Sequence, residues 1–186
     1  MLLSRDGSLL LYVSPKTDVV DIPESVIRIG DYAVYVNDRI NNLVVPDNVE
    51  TIGIYAFSRC NSLRSVTLGC AVKEIEPYAF LFSDGIRTFT IKAKNPPKTP
   101  SYGSFSSDQF QATLVVPKGY IDAYKNSNYD WYKFRDIDDG SVKPEEVGPV
   151  SGNYYNIYAD TPCCSSSRCV YNKIAKYTKE YRSKCV

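Results

Sequence analysis

A set of residue types recurs every 23 positions between residues 29 and 80, and this periodicity constrains the fold more than any other feature of the chain. The columns are Ile29, Ile52 and Ile75; Tyr32, Tyr55 and Tyr78; Ala33, Ala56 and Ala79; and Val34, Phe57 and Phe80. A unit of 23 residues is too short to bury an apolar face alone, so neighbouring units must stack to form a continuous core. The small alanine column predicts that the backbones of adjacent units approach closely there.

Each unit contains two short apolar stretches separated by a corner. The first stretch is a triplet whose outer residues are expected to point inward and whose middle residue is expected to point outward. The triplets lie at residues 20–22, 43–45, 66–68 and 89–91. A corner follows at Pro23, Pro46 and Gly69, and the second stretch supplies the pairs Val26/Ile29, Val49/Ile52 and Val72/Ile75. The sequence therefore predicts a mainly β solenoid of about five coils, with a period in the leucine-rich-repeat range.

The column before the tyrosines is not uniform. Gly30 and Gly53 precede the tyrosine column, but Glu76 takes that place in the third unit, so a required positive φ is not expected there.

The N-terminus is predicted to be the middle of a β unit. Its residues Leu9, Leu11 and Val13 alternate after an Asp-Gly turn.

The fourth unit is longer than the others. The next triplet, residues 114–116, follows after 25 positions, and three prolines at residues 96, 97 and 100 favour a stiff extended loop. An irregularity before an end cap is the preferred interpretation, and a binding insertion is the alternative. Beyond it, residues 118–125 resemble a short helix, and Trp131, Phe134 and Ile137 are placed to cover the open end of the stack. A cap is therefore predicted over about residues 117–137.

Four segments carry a family resemblance: IPESVIRIGDYAV from Ile22, VPDNVETIGIYAFSRCNSLRSVTL from Val45, IKAKNPPKTPSYGSF, and LVVPKGYIDAYKNSNYDWYKFRDI. Together they resemble the BspA-like leucine-rich repeats of bacterial surface proteins, abundant in Bacteroidetes, over about residues 6–137. The resemblance implies a secreted or surface-exposed solenoid that binds protein or glycan ligands without catalysis. The family's motif residues are structural, so it assigns no binding residues.

Composition bears on the alternatives. The chain has 22 basic and 21 acidic residues, so no global field favours nucleic acid, and no apolar run is long enough to span a membrane. Histidine is absent and no phosphate-binding glycine motif occurs, which argues against an enzyme, a cofactor or a metal centre.

No targeting segment is visible, so the chain is either cytosolic or a mature or truncated piece. An adhesion module is the leading hypothesis, and a structural stalk that displays another domain is the second.

The six cysteines fall into two groups. Cys60 and Cys70 are expected to be a free, buried pair, with a disulfide between them as the alternative. After a Gly- and Pro-rich linker at residues 138–152, a tail at 153–186 holds the other four and a probable helix at 170–183. A disulfide from Cys169 to Cys163 or Cys164, a zinc site and free thiols stay open for this tail.

The predicted binding surface is the outer face of the triplet strands. Its residues are Val19, Asp21, Asn42, Val44, Ser65, Thr67, Thr88, Thr90, Thr113 and Val115. This strip is expected to be flat and nearly uncharged, with Arg64 and Arg87 as the only charged column at its rim. A merely solvated β surface is the alternative.

Overall fold

The computed structural model describes residues 1–100 and 103–141. The strands in this part are β1 Leu2–Leu3, β2 Leu9–Tyr12, β3 Arg28–Ile29, β4 Asn42–Val44, β5 Thr51–Ile52, β6 Ser65–Leu68, β7 Glu74–Ile75, β8 Thr88–Ile91, β9 Thr113–Val115 and β10 Asp136–Asp138. One α-helix, α1, spans Ile121–Lys125, and 3₁₀ helices span Ser107–Gln111 and Asp130–Lys133. The mainly β fold is therefore confirmed. The predicted Cys-rich tail, its helix and most of the linker lie outside the described residues.

The strands form two sheets that run along the same series of coils. The triplet sheet has the order β10-β9-β8-β6-β4, and all its pairs are parallel. Its register joins Asn42 to Ser65 and Ser65 to Thr88, which are neighbours 23 positions apart. The pair sheet has the order β1-β2-β3-β5-β7, parallel except for the β1–β2 hairpin. The sequence period is thus the distance from one coil to the next.

Burial follows the predicted alternation within the triplets. Leu43 and Val45 are buried while Val44 between them is 57% exposed, and the next two triplets repeat the pattern. Residues 20–22 keep this alternation but form no strand, because they lie beyond β4, where the sheet ends. The side chains that point inward form one continuous apolar core.

The N-terminal alternation was predicted with the wrong phase within β2, although Val13 just after this strand is buried. The Asp6-Gly7 turn is present, with Gly7 at φ 75°, but Leu10 is buried and Leu11 is 41% exposed. The reason is the pairing of β2 with β3, which sets Leu10 beside the inward-pointing Ile29. A shift of one residue in a strand moves every side chain to the opposite face.

The alanine column is the place where neighbouring coils bond directly. Ala33, Ala56 and Ala79 are fully buried, and the carbonyls of Ala56 and Ala79 accept hydrogen bonds of 2.8 Å from the amides of Val34 and Phe57 in the preceding coils. The fully buried alanine methyl groups lie at this direct backbone contact, so a much larger side chain would overpack the core. The predicted close approach is confirmed.

Positive φ angles occur at the tyrosine column and not at the glycines before it. Tyr32, Tyr55 and Tyr78 have φ of 56°, 54° and 62°, and their rings stack with centroids 5.1 Å apart. A second column, Val36, Arg59 and Phe82, has φ of 57° to 62°. The left-handed region is costly for residues with a Cβ, so tertiary packing must hold these turns in place.

Gly30 is needed for a different reason, namely close approach to the first coil. A Cβ at this position would lie 2.7 Å from the carbonyl oxygen of Leu10. In the third coil Glu76 occupies the same column and pairs at 2.9 Å with Arg28, two coils away. This ion pair crosses the intervening coil and raises the pKa of the Arg28 guanidinium.

The fourth coil keeps the columns but changes the residues in them. Gly103, with φ 78°, follows Tyr78 by 25 positions, and the buried Ser104 follows Ala79 by the same distance. Phe105 continues the phenylalanine column and stacks on Phe80 at 5.8 Å. The predicted spacing of 25 residues is therefore accommodated without loss of register.

Residues 117–138, the C-terminal segment, pack onto this last coil. Trp131 is fully buried, and Phe134 and Ile137 are 4% and 7% exposed. The Trp131 and Phe134 rings contact Phe105 at 5.2 and 5.6 Å, and β10 extends the triplet sheet beyond β9. This is the packing expected of an end cap.

Candidate functional site

The predicted binding residues of the triplet strands lie together on the outer face of the triplet sheet. They form two rows that run across the sheet from strand to strand. One row is Asn42, Ser65, Thr88 and Thr113, and the other is Val44, Thr67, Thr90 and Val115. Neighbours within a row interact, since the Ser65 hydroxyl donates to Asn42 Oδ1 at 2.7 Å. Val19 and Asp21 are exposed but belong to no strand, so they do not extend the rows. We call these two rows the outer face.

One end of the outer face is acidic, which the sequence analysis missed. β10 places Asp136 beside Thr113 and Asp138 beside Val115, and Thr113 Oγ1 lies 3.4 Å from Asp136 Oδ2. The residues predicted for the strip carry little charge, as expected, but the sheet continues past them into these two aspartates. The sequence contains one signal for this additional strand, namely that Ile137 follows Leu114 by 23 positions.

Arg64 and Arg87 lie on the turns that precede β6 and β8. Arg64 Nη1 donates to the carbonyls of Asn61 and Leu63 at 2.8 and 3.2 Å, and Arg87 Nη1 repeats the pattern with Asp84 and Ile86 at 3.1 and 3.3 Å. The Arg64 guanidinium lies against the backbone of Gly85, a position that leaves no space for a Cβ. Both guanidinium groups are thus fixed beside the outer face, and their role in binding stays a prediction.

A further pair of charged residues at the repeat spacing lies away from the outer face. Glu50 and Lys73 are also 23 positions apart and form an ion pair of 2.7 Å on the other side of the coil. Paired exposed charges of this kind contribute little to stability, but they show that charge follows the repeat on more than one face.

The two cysteines of the coils differ in environment. Cys60 is fully buried, its thiol donates to the Val34 carbonyl at 3.2 Å, and burial raises its pKa to about 11. Cys70 is exposed at a corner, and neither cysteine forms a disulfide. The prediction of free thiols is confirmed, but Cys70 is not buried, because the corner turns its side chain outward.

Residues 1–100 and 103–141 contain no cluster of three histidine, cysteine, aspartate or glutamate side chains placed to hold a metal ion. Within the same ranges, no helix has the length and apolar character required to cross a membrane.

Parallel strands that repeat every 23 residues around an aliphatic and aromatic core define a leucine-rich-repeat protein. The model of the BspA type leucine-rich repeat region matches residues 12–114 with six copies, which is more than half of the chain. The chain belongs to this family. The predicted number of about five coils stays a prediction beside the six copies of the family model.

The solved structures similar to this chain include a pneumococcal antigen and a Bacteroides protein. The pneumococcal vaccine antigen PcpA matches with a TM-score of 0.47 and 18% identity, over 75% of this chain and 46% of that one. A leucine-rich repeat protein from Bacteroides capillosus matches with a TM-score of 0.49 and 23% identity, over 61% of this chain and 90% of that one. This chain thus aligns with less than half of PcpA. The comparison with curated proteins gave no match.

Proposed function

We propose that this chain is a non-catalytic binding module of a bacterial cell-surface or secreted protein, which recognises protein or glycan ligands through the outer face. In this proposal residues 1–137 are a solenoid of about five coils whose open end is closed by the residues from 117 onward. Membership of the BspA type repeat family supports the surface location. The observation that carries the proposal is the outer face itself, where outward-facing residues, exposed in β4 and half-buried in the other strands, repeat in register outside the core.

The chemistry of the outer face indicates how such binding would work. Its threonine, serine and asparagine side chains offer hydrogen bonds and small contact areas, but no large aromatic anchor. A single module is therefore expected to bind modestly, and many copies on one surface would increase the affinity through multivalency. Asp136 and Asp138 at one end and Arg64 and Arg87 beside the face give the surface a polarity that can orient a charged ligand.

The decisive experiment changes the middle of the outer face. Thr67 and Thr90 are neighbours in β6 and β8, so the double variant Thr67→Glu/Thr90→Glu places two like charges at the centre of the row. Binding of parent and variant would be measured against extracellular-matrix proteins and a glycan array, with circular dichroism as the check on folding. Thr51→Glu in β5, on the other sheet, is the matched control.

We expect the double variant to lose at least tenfold in affinity for the ligand that the parent binds, and the control to change it less than threefold. A folded double variant that binds as tightly as the parent would exclude the outer face. Absence of binding to every matrix protein and glycan by the parent would instead favour a structural stalk.

A further inference from the structure

The corner between the two sheets is closed in the regular coils and open in the fourth. In the first three, a tight turn closes the corner, with the amides of Val26, Val49 and Val72 bonded to the carbonyls of Pro23, Pro46 and Gly69 at 3.0 to 3.5 Å. In the fourth coil, residues 92–97 replace this turn with a wider proline loop. A cleft of about 490 Å³ lies there, lined by residues 70–73, residues 92–98 and Tyr129.

The proline loop is anchored by the C-terminal segment. The buried hydroxyl of Tyr124 donates to the carbonyl of Ala93, and the buried indole of Trp131 donates to the carbonyl of Pro97, both at 2.7 Å. On the opposite side, the Lys98 amide bonds to the Lys73 carbonyl at 2.8 Å. The loop is therefore held at both ends and the cleft exists before any ligand binds, which lowers the entropic cost of binding.

The charged groups that line the cleft are all cationic. They are Lys73, Lys92, Lys94 and Lys98, and none of the described lining residues is acidic. Lys73 pairs with Glu50 of the preceding coil at 2.7 Å, and Lys92 pairs with Asp47, two coils away, at 3.2 Å. Within residues 1–100 and 103–141, no carboxylate forms an ion pair with Lys94 or Lys98. A concave site with excess positive charge attracts anions although the whole chain carries a net charge of only +1.

We propose that this cleft binds an anionic glycan, a short stretch of sugar units that carry sulfate or carboxylate groups. Flexible lysine ammonium groups suit anions that are spaced along a chain. Pro96, Pro97 and the half-buried Tyr129 ring supply apolar walls against which the C–H faces of a sugar pack. The cleft has the size of a small-ligand site.

An acidic peptide fits these features less well. Peptides that bind in extended form add a strand to a free sheet edge and use its backbone N–H groups. Pro96 and Pro97 have no N–H, and the Lys98 amide already bonds to Lys73. The cleft therefore offers side-chain charge without a backbone ladder. The proposed site is separate from the outer face and does not depend on its function.

The test uses the full chain and four soluble probes. They are a heparin-derived tetrasaccharide, a galacturonic acid tetrasaccharide, the neutral maltotetraose and a glutamate-rich peptide of similar charge. Binding would be measured by calorimetry at low and at physiological salt. The variant is Lys94→Glu/Lys98→Glu, and its matched control is Lys16→Glu/Lys125→Glu, which makes the same charge change at exposed lysines outside the cleft.

We expect at least one anionic tetrasaccharide to bind, more weakly at higher salt, and maltotetraose not to bind. The cleft variant should lose at least tenfold in affinity, while the control and the Thr67→Glu/Thr90→Glu variant stay within threefold of the parent. The sulfated and carboxylated probes show which anion the site prefers. No binding by either anionic glycan, an equal loss in the control, or binding by the peptide alone would overturn the proposal.

Discussion

The second and third coils and the fourth coil solve the same packing problem by different means. Between the regular coils, backbone groups largely satisfy one another, as in the hydrogen bonds from Gly53 to Ile29 and from Glu76 to Ile52, both 2.9 Å. At the fourth coil, a buried side chain takes over one of these bonds, since the Ser104 hydroxyl donates to the Ile75 carbonyl at 2.9 Å. At the phenylalanine column, side chains serve in the regular coils as well: Gln109 donates to the Phe80 carbonyl at 2.6 Å, as Ser83 does to Phe57 and Cys60 to Val34.

This difference follows from the period. Two coils of equal length present their amides opposite the carbonyls of the neighbour, so repetition alone pairs the backbone. Two extra residues disturb that match, and a buried carbonyl without a partner is costly. Polar side chains of the fourth coil and the C-terminal segment restore the missing hydrogen bonds. The fourth coil and the C-terminal segment, which depart from the repeat, thus stabilise the end of the stack that the regular coils form.

The largest expected effect comes from the indole that anchors the proline loop. Trp131→Ala removes a fully buried ring and leaves the Pro97 carbonyl without its donor, so the free energy of unfolding should fall by about 3 to 5 kcal/mol. Chemical denaturation would measure the loss. The control is Tyr132→Ala at its 55% exposed neighbour, with a change within about 0.5 kcal/mol. Similar losses at both positions would contradict the anchoring role.

The alanine column should tolerate no larger residue in a regular coil. Ala56→Leu inserts three carbon atoms where adjacent backbones are hydrogen-bonded, so we expect a loss of about 1 to 3 kcal/mol. Thr67→Leu on the outer face is the control, with little expected effect. Equal melting temperatures for the two variants would refute close approach at this column.

Ser104, which occupies the alanine column in the fourth coil, should not tolerate replacement by the smaller alanine. Ser104→Ala removes the hydroxyl that bonds to the Ile75 carbonyl, and it should cost about 1 to 3 kcal/mol because that carbonyl is left buried and unpaired. The reciprocal change, Ala79→Ser, places a hydroxyl in a column where the backbone is already paired. If Ser104→Ala is as stable as the parent, side chains do not replace backbone pairing in the fourth coil.

A smaller effect should separate backbone strain from ring stacking at Tyr55. Both Tyr55→Ala and Tyr55→Gly lose the stack, but glycine adopts the observed φ of 54° without strain. The glycine variant should therefore be about 1 kcal/mol more stable than the alanine variant, as the natural glycine at position 103 suggests. Thermal melts of the pair decide the matter. An alanine variant equal to or better than glycine would mean that the turn relaxes.

The smallest expected effect concerns the thiols and is read by pH. A thiol reagent at pH 8 should label Cys70 and leave Cys60 unlabelled, because burial raises the Cys60 pKa to about 11. The raised pKa stabilises the fold below pH 9, its ordinary value here, and this contribution is lost as the pH rises towards 11. Peptide mapping would identify the labelled residue. Rapid labelling of Cys60 in folded protein, or a Cys60→Ala variant with the same alkaline loss of stability, would argue against this.

Sequence reasoning was reliable where the repeat itself determines the structure. The columns at Ile29, Ala33 and Phe57 predicted which side chains are buried and which strands are neighbours, because strand pairing preserves the period. It failed where pairing with another coil sets the phase, as at Leu11, and at β10, whose residues were assigned to the end cap and not to a further strand of the triplet sheet.

The cleft was beyond the reach of the sequence. Its walls come from the third coil, the proline loop and Tyr129, and its shape depends on hydrogen bonds from Tyr124 and Trp131. The sequence marks the proline segment as an irregularity, with a binding insertion as the alternative, but it does not show which residues line a cleft there. Which residues of the C-terminal segment approach it is decided by packing at the end of the stack, where no repeat remains to guide the alignment.

The ion pair between Arg28 and Glu76 makes the first and third coils different from the other coils of the stack. These side chains meet across one intervening coil, and a coil occupies about 4.8 Å along the stack. The gain of a unit between them would separate the charges, and the loss of one would place them in adjacent coils. The first three coils are therefore not interchangeable, although their sequences are similar. The ion pair as observed forms only when one coil separates its two residues, so it depends on the number of repeats in this stretch.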